Sequence, residues 1–150
     1  MGRAQILESD AVFSIASWRN LIVVTWREAP EVSRVARVRQ ELARRCLEQP
    51  TGLLVVIRAT HPMPAADARA EAMAMIRSRA SQPRFVCVLY EASGVAATLL
   101  FATVRTMFML GDGPKLKLAH GVEEAAAFVA PQVIPGTTRD EIARLVADLE

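Results

Sequence analysis

The side chains able to do chemistry are few in this chain of 150 residues, which holds two histidines and two cysteines. A structural zinc site wants four Cys or His ligands at short, paired spacings. Cys46, His61, Cys87 and His120 stand far apart, with no CxxC or HxxxH pair among them. No metal and no cofactor are therefore expected. Cys46 falls on the apolar stripe of a predicted helix and Cys87 inside a predicted strand, so both read as small buried hydrophobes, reduced in a cytoplasmic setting. Thr60, His61 and Ser93 form the one loop group from which a nucleophile and base can be sketched, with Asp67 as the orienting acid. Simpler roles compete with each of them. Ser93 reads as a helix cap, Asp67 as a first-turn acid favoured by the macrodipole, and His61 as a polar loop residue. No GxSxG elbow, second catalytic-looking histidine or acid pair accompanies them. No catalytic residue is expected, and a small hydrolase or transferase is the third choice among functions.

Phosphate and nucleic-acid chemistry are equally poorly supplied. Gly111-Asp112-Gly113-Pro114-Lys115 has two glycines and a lysine but follows a helix and precedes a strand, whereas a phosphate-binding loop needs the reverse order. It reads as a helix stop and turn. Arginine outnumbers lysine sixteen to two, and five arginines lie between residues 34 and 45, yet the formal net charge is only +2. Glu41 and Glu48 partly neutralise these arginines and no aromatic side chains interleave with them, so neither an electrostatic footprint nor a base-stacking platform is present.

The elements that would position these residues follow from periodicity. With 52% hydrophobic and 23% charged residues, the chain has a globular composition and needs no staple at this length. Ala11–Ser17 and Asn20–Trp26 are β-branched and aromatic runs joined by a short turn, which predicts a hairpin. Val32, Val35, Val38, Leu42 and Cys46 recur at helical spacing and predict a helix over 30–48. GLLVVIRA over 52–59 is a buried strand, followed by a helix from Ala65 to about Ser81 and a second buried strand over 84–91. Val95–Leu110 is an apolar helix, KLKLA over 115–119 an edge strand guarded by lysines, and Val122–Val129 a short helix. Thr138-Arg139-Asp140-Glu141 is a capping box opening a last helix. The fold expected is α/β, a single mixed sheet of about five strands in the order β-β-α-β-α-β-α-β-α-α. The organisation expected is an N-terminal extension over 1–10, a domain over 11–130, a linker over 131–137, and a C-terminal helix over 138–150 packing on the domain or on a partner. The opening MGRAQILESDAV lacks a long apolar run, and Gly2 lacks the Ser or Thr of an acylation site, so no signal peptide or myristoyl group is expected.

Three stretches carry a resemblance: Thr60-His61-Pro62-Met63-Pro64 leading into Ala65–Arg69, Ser93-Gly94 leading into Val95–Arg105, and Leu116–Ala130. With the element order, they resemble the STAS-like domains of anti-sigma-factor antagonists and the bacterial STAS/CRAL-TRIO-like domains, over roughly residues 11–130. The resemblance implies a bacterial regulatory domain that works through protein–protein contact. Signalling members of that family place a phosphorylatable Asp-Ser pair at the start of the helix after the third strand. Here Thr60 is the only hydroxyl in that place, and the expectation is that it stays unmodified.

The least ordinary element is Val95–Leu110. Its sixteen residues carry one charge, Arg105, and reach about 24 Å as a helix, too short for a bilayer core of about 30 Å. No membrane span is expected. A helix apolar all round must be covered all round. The cover is the C-terminal helix, another chain, or an apolar ligand beneath it. The leading expectation is a non-catalytic interaction domain, homodimeric through Leu100, Phe101, Val104 and Phe108. The second is a binder of an apolar small molecule or lipid beneath Val95–Leu110.

Overall fold

The computed structural model describes residues 2–109 and 113–150. Six strands form one mixed sheet in sequence order: β1 (Gln5–Ser9), β2 (Phe13–Trp18), β3 (Leu21–Trp26), β4 (Gly52–Ile57), β5 (Phe85–Tyr90) and β6 (Lys115–Ala119). The first three run antiparallel and β3 through β6 run parallel. The helices are α1 (Val32–Cys46), α2 (Ala66–Arg77), α3 (Val95–Phe108), α4 (Val122–Val129) and α5 (Arg139–Asp148). The α/β class and the single mixed sheet agree with expectation, and the sheet has one strand more than the five anticipated. The addition is β1, in the stretch read as an extension. It is an exposed edge with a bulge between Ile6 and Glu8, and so carries no buried alternation for the sequence to display.

Chain direction decides which helix covers which face. The crossovers β3-α1-β4, β4-α2-β5 and β5-α3-β6 all step the same way along the sheet. Right-handed connection therefore puts all three helices on one side. Val35 and Leu42 of α1, Ala68 and Met75 of α2, and Leu100 and Phe101 of α3 share a core with Ile22, Leu53 and Val86. The opposite face is left for α4 and α5, whose Ala125, Val129, Ile142 and Val146 pack on Leu21, Leu54 and Cys87. This corrects the first of the three covers considered for α3. The C-terminal helix lies on the other side of the sheet and cannot be its lid.

The two-residue turn between β2 and β3 anchors the C-terminal region. Arg19 takes a left-handed φ of 53° there, and its guanidinium sits 4.3 Å from the Trp18 ring centroid. The same group donates to Thr137 Oγ1 at 2.6 Å and to Glu141 Oε1 at 3.1 Å. Asn20 Oδ1 accepts from the Ile134 amide at 3.0 Å. The capping box at the start of α5 is formed as expected, Thr138 Oγ1 accepting from the Glu141 amide and Glu141 accepting in return. Helix α2 ends at Arg77, short of the expected Ser81, because the Ser81 hydroxyl turns back to the Met75 carbonyl at 3.1 Å.

Candidate functional site

The parallel strands end in two neighbouring loops. Thr60 and His61 follow β4 and Ser93 follows β5, all three exposed. Among the described residues no hydrogen bond joins any two of them, so they form no nucleophile–base pair. Ser93 does not cap α3. The N-cap is Gly94, at a left-handed φ of 90° open to glycine at little cost, and no side chain accepts from the first turn. The expected cap is thus displaced by one residue. Asp67 stands in the first turn of α2 as expected and accepts from the Ala68 amide at 2.7 Å. No three His, Cys, Asp or Glu side chains gather at metal-binding spacing among the described residues.

The cysteines are quiet. Burial pushes the Cys87 thiol up to about 12, and it also raises Cys46, whose sulfur lies 3.7 Å from the Gln82 carbonyl. The buried carboxylate of Glu41, unforeseen in the sequence, is charged for a structural reason. Burial works to raise its pKa, but Arg44 and Arg37 clamp it from either side, Arg37 at 3.2 Å, and the balance falls below the usual range.

The four residues named as an α3 interface divide differently from expectation. Leu100 and Phe101 are buried in the chain's own core, and Val104 and Phe108 are half-buried against it. Phe101 meets Tyr90 and His120 edge-on, with centroids 6.4 and 4.8 Å apart. The outward side runs through Val95, Leu99 and Met109 instead. Leu110, Gly111 and Asp112, which carry the helix end and part of the expected turn, lie outside the described residues. Among the described residues no helix is long and apolar enough to cross a membrane.

Between this helical layer and the sheet lies an apolar cavity of about 120 Å³. Its floor is Val24, Val55, Val86 and Val88. Its walls are Val35 and Val38 of α1, Ala68, Ala72 and Met75 of α2, and Leu100, Val104 and Phe108 of α3. The cause is local. Helix α2 packs closely against α1, whereas among the described residues α3 is only sparsely packed, chiefly against β6. The residues meeting over the centre of the sheet are valines below and alanines above, too short to fill the gap between layers. Val55 records the result: it is the one residue of β4 that is not buried, although β4 lies between β3 and β5. Pro62 and Pro64 of the β4–α2 loop form a rim, and Arg69 is the only charged residue on the lining among the described residues.

The fold and cavity together define an α/β domain with one open apolar site and no assembled catalytic group among the described residues. Searches of protein-family models, curated proteins and solved structures find no match to this chain.

Proposed function

We propose that this chain is a non-catalytic, STAS-like binding domain that holds a small apolar ligand in the cavity beneath α2 and α3. The observation that carries the reading is Val55, left open at the centre of the sheet in a space lined by apolar carbon. An apolar void of about 150 Å³ stays dry and takes up benzene, so 120 Å³ suits a single ring or a short branched chain rather than a drug-sized ligand. A regulatory role in the cytoplasm follows from the STAS-like reading, supported by the parallel β3–β6 run with three helices on one face. The test is benzene titrated into the full chain, followed by methyl NMR and thermal melting. Saturable shifts at the Val55 and Val88 methyls and a raised melting temperature are expected in the wild type, and neither in Val55→Phe. Unmoved methyls at saturating benzene would overturn the reading.

A second reading, contact with another protein or with a second copy of this chain, rests on the outward side of α3. Val95 is 76% exposed, Leu99 53% and Met109 73%. Clustered apolar exposure of this kind marks contact surfaces. Sedimentation across micromolar concentrations tests it, with a concentration-dependent dimer expected and a monomer throughout overturning it.

A further inference from the structure

Unpaired positive charge gathers where β5 and β6 begin. Two adjoining clefts lie there, of about 470 and 460 Å³, sharing Arg79, Gln82 and Gly113. Arg84 and Lys115 line the first and Arg77 the second. These four cationic residues are exposed, and among the described residues their side chains have neither an ion pair nor a hydrogen bond. Helix α1 is different: Arg34, Arg37, Arg39, Arg44 and Arg45 each meet a carboxylate. No acidic residue lines either cleft among the described residues. Glu48, two residues from Cys46 on the cleft wall, is held by Arg44 and Arg45 at 3.6 and 3.8 Å. Arg77 has a local reason for its place, since it ends α2, where the macrodipole favours a cation with about half a charge. Arg79, Arg84 and Lys115 lie beyond that helix and have no such partner. Like charges gathered without a counter-ion repel, and a bound anion relieves the repulsion.

We infer that the two clefts form one anion site, and that the anion is a diphosphate, either inorganic or the end of an organic molecule. The site is independent of the apolar cavity and of what fills it. Guanidinium forks take phosphate oxygens in pairs, and a lysine ammonium adds a point charge. Cations spread over two adjoining clefts suit two linked phosphate groups better than one. Each cleft is within the roughly 300–1,000 Å³ of ordinary ligand sites, so a diphosphate fits. The second cleft also has an apolar wall, Ile76, Met107 and Phe108, against which an organic body can lie.

The experiment is isothermal titration calorimetry of sodium pyrophosphate and sodium phosphate into the full chain at low salt, as wild type and as two double variants. Arg79→Gln with Arg84→Gln removes two charges from the clefts. Arg139→Gln with Arg144→Gln removes two exposed charges from α5, on the opposite face of the sheet. Both pairs lower the net charge equally, so the second reads the effect of overall charge alone. Pyrophosphate is expected to bind wild type about tenfold more tightly than phosphate, the step one charge-assisted hydrogen bond gives. The cleft variant should lose at least about tenfold in pyrophosphate affinity, and the α5 variant should match wild type. Tighter binding of ADP than of pyrophosphate assigns an organic diphosphate, and equal or weaker binding assigns the inorganic ion. No saturable pyrophosphate binding to wild type overturns the site. Equal losses in the two double variants overturn it as well, because the attraction is then that of the whole surface. Equal affinity for phosphate and pyrophosphate overturns the diphosphate assignment. None of these outcomes bears on benzene binding in the apolar cavity.

Discussion

The ring of Phe85 lies against the α-carbon of Gly52 on the adjacent parallel strand, so close that a Cβ at position 52 would fall well within the contact radius of Cζ and Cε1. Phe85 is fully buried and meets Phe128 of α4 edge-on, centroids 5.9 Å apart at 82°. Glycine at the start of β4 is thus set by the neighbour's side chain rather than by its own backbone angle.

Gly52→Ala is therefore expected to destabilise the fold by about 1–3 kcal/mol, the range for overpacking a filled core. The Phe85 ring is fully buried, so it cannot swing out into solvent to make room. Pairing the change with Phe85→Leu should recover part of the loss, a coupling that a double-mutant cycle in urea reads directly. Additive effects of the two substitutions would remove the contact as the cause.

On the cavity side the sign reverses. Val55→Ile adds one methylene into open apolar space and is expected to stabilise by about 0.8 kcal/mol, one buried methylene's worth. The same exchange at Val23, fully buried on the opposite face, is expected to be neutral or destabilising. Chemical denaturation of the two variants side by side separates a void from a filled core, and destabilisation by Val55→Ile would mean that no usable space exists there.

The helix α3 offers a direct contrast between neighbours. Phe101 is 6% exposed between Tyr90 and His120, and Leu99 is 53% exposed. Phe101→Glu places a carboxylate in this buried site between two aromatic rings, and is expected to cost several kcal/mol or to unfold the chain. Leu99→Glu should stay within about 0.5 kcal/mol of wild type and, where α3 mediates self-association, should dissociate the dimer. Circular dichroism and sedimentation on both variants read this. A folded Phe101→Glu protein would contradict the inward assignment.

That contrast shows where legibility in the sequence ended. Helix α1 was readable because Val35, Val38 and Leu42 stand against a charged background, and α5 because Thr138 and Glu141 have a local signature. Val95–Phe108 is apolar nearly throughout, so spacing picks no face, and the choice of Leu100 and Phe101 over Leu99 is made by the crossover that lays α3 on the sheet. The cavity had even less signal. It depends on Ala68 and Ala72 arriving opposite Val55, a pairing between distant segments that only the packing of α2 against α1 decides.

The last prediction concerns acid and the β1–β2 turn. Asp10 is paired with Arg34 of α1 and accepts from the Val12 and Phe13 amides at 2.7 and 3.0 Å. The hydrogen bond from Arg34, then those from Phe13 and Val12, lower its carboxyl from 3.8 to about 2. The folded chain thus binds this proton less readily than the unfolded chain. Its contribution is complete above pH 3.8 and is lost as the pH falls through about 2. Glu41, Glu124 and Glu141 are lowered too and add an acid-side slope of their own, so the wild-type curve alone does not isolate Asp10. The difference between wild type and Asp10→Asn does, since the amide cannot titrate. Urea midpoints from pH 5 to 2 should converge for the two proteins as the pH drops. Because the turn is open to solvent, the Arg34 share should shrink in ~1 M salt, where the screening length is about 3 Å, while the two backbone hydrogen bonds persist. Parallel curves for wild type and Asp10→Asn across that range would show that the Arg34–Asp10 contact contributes nothing to the acid limb.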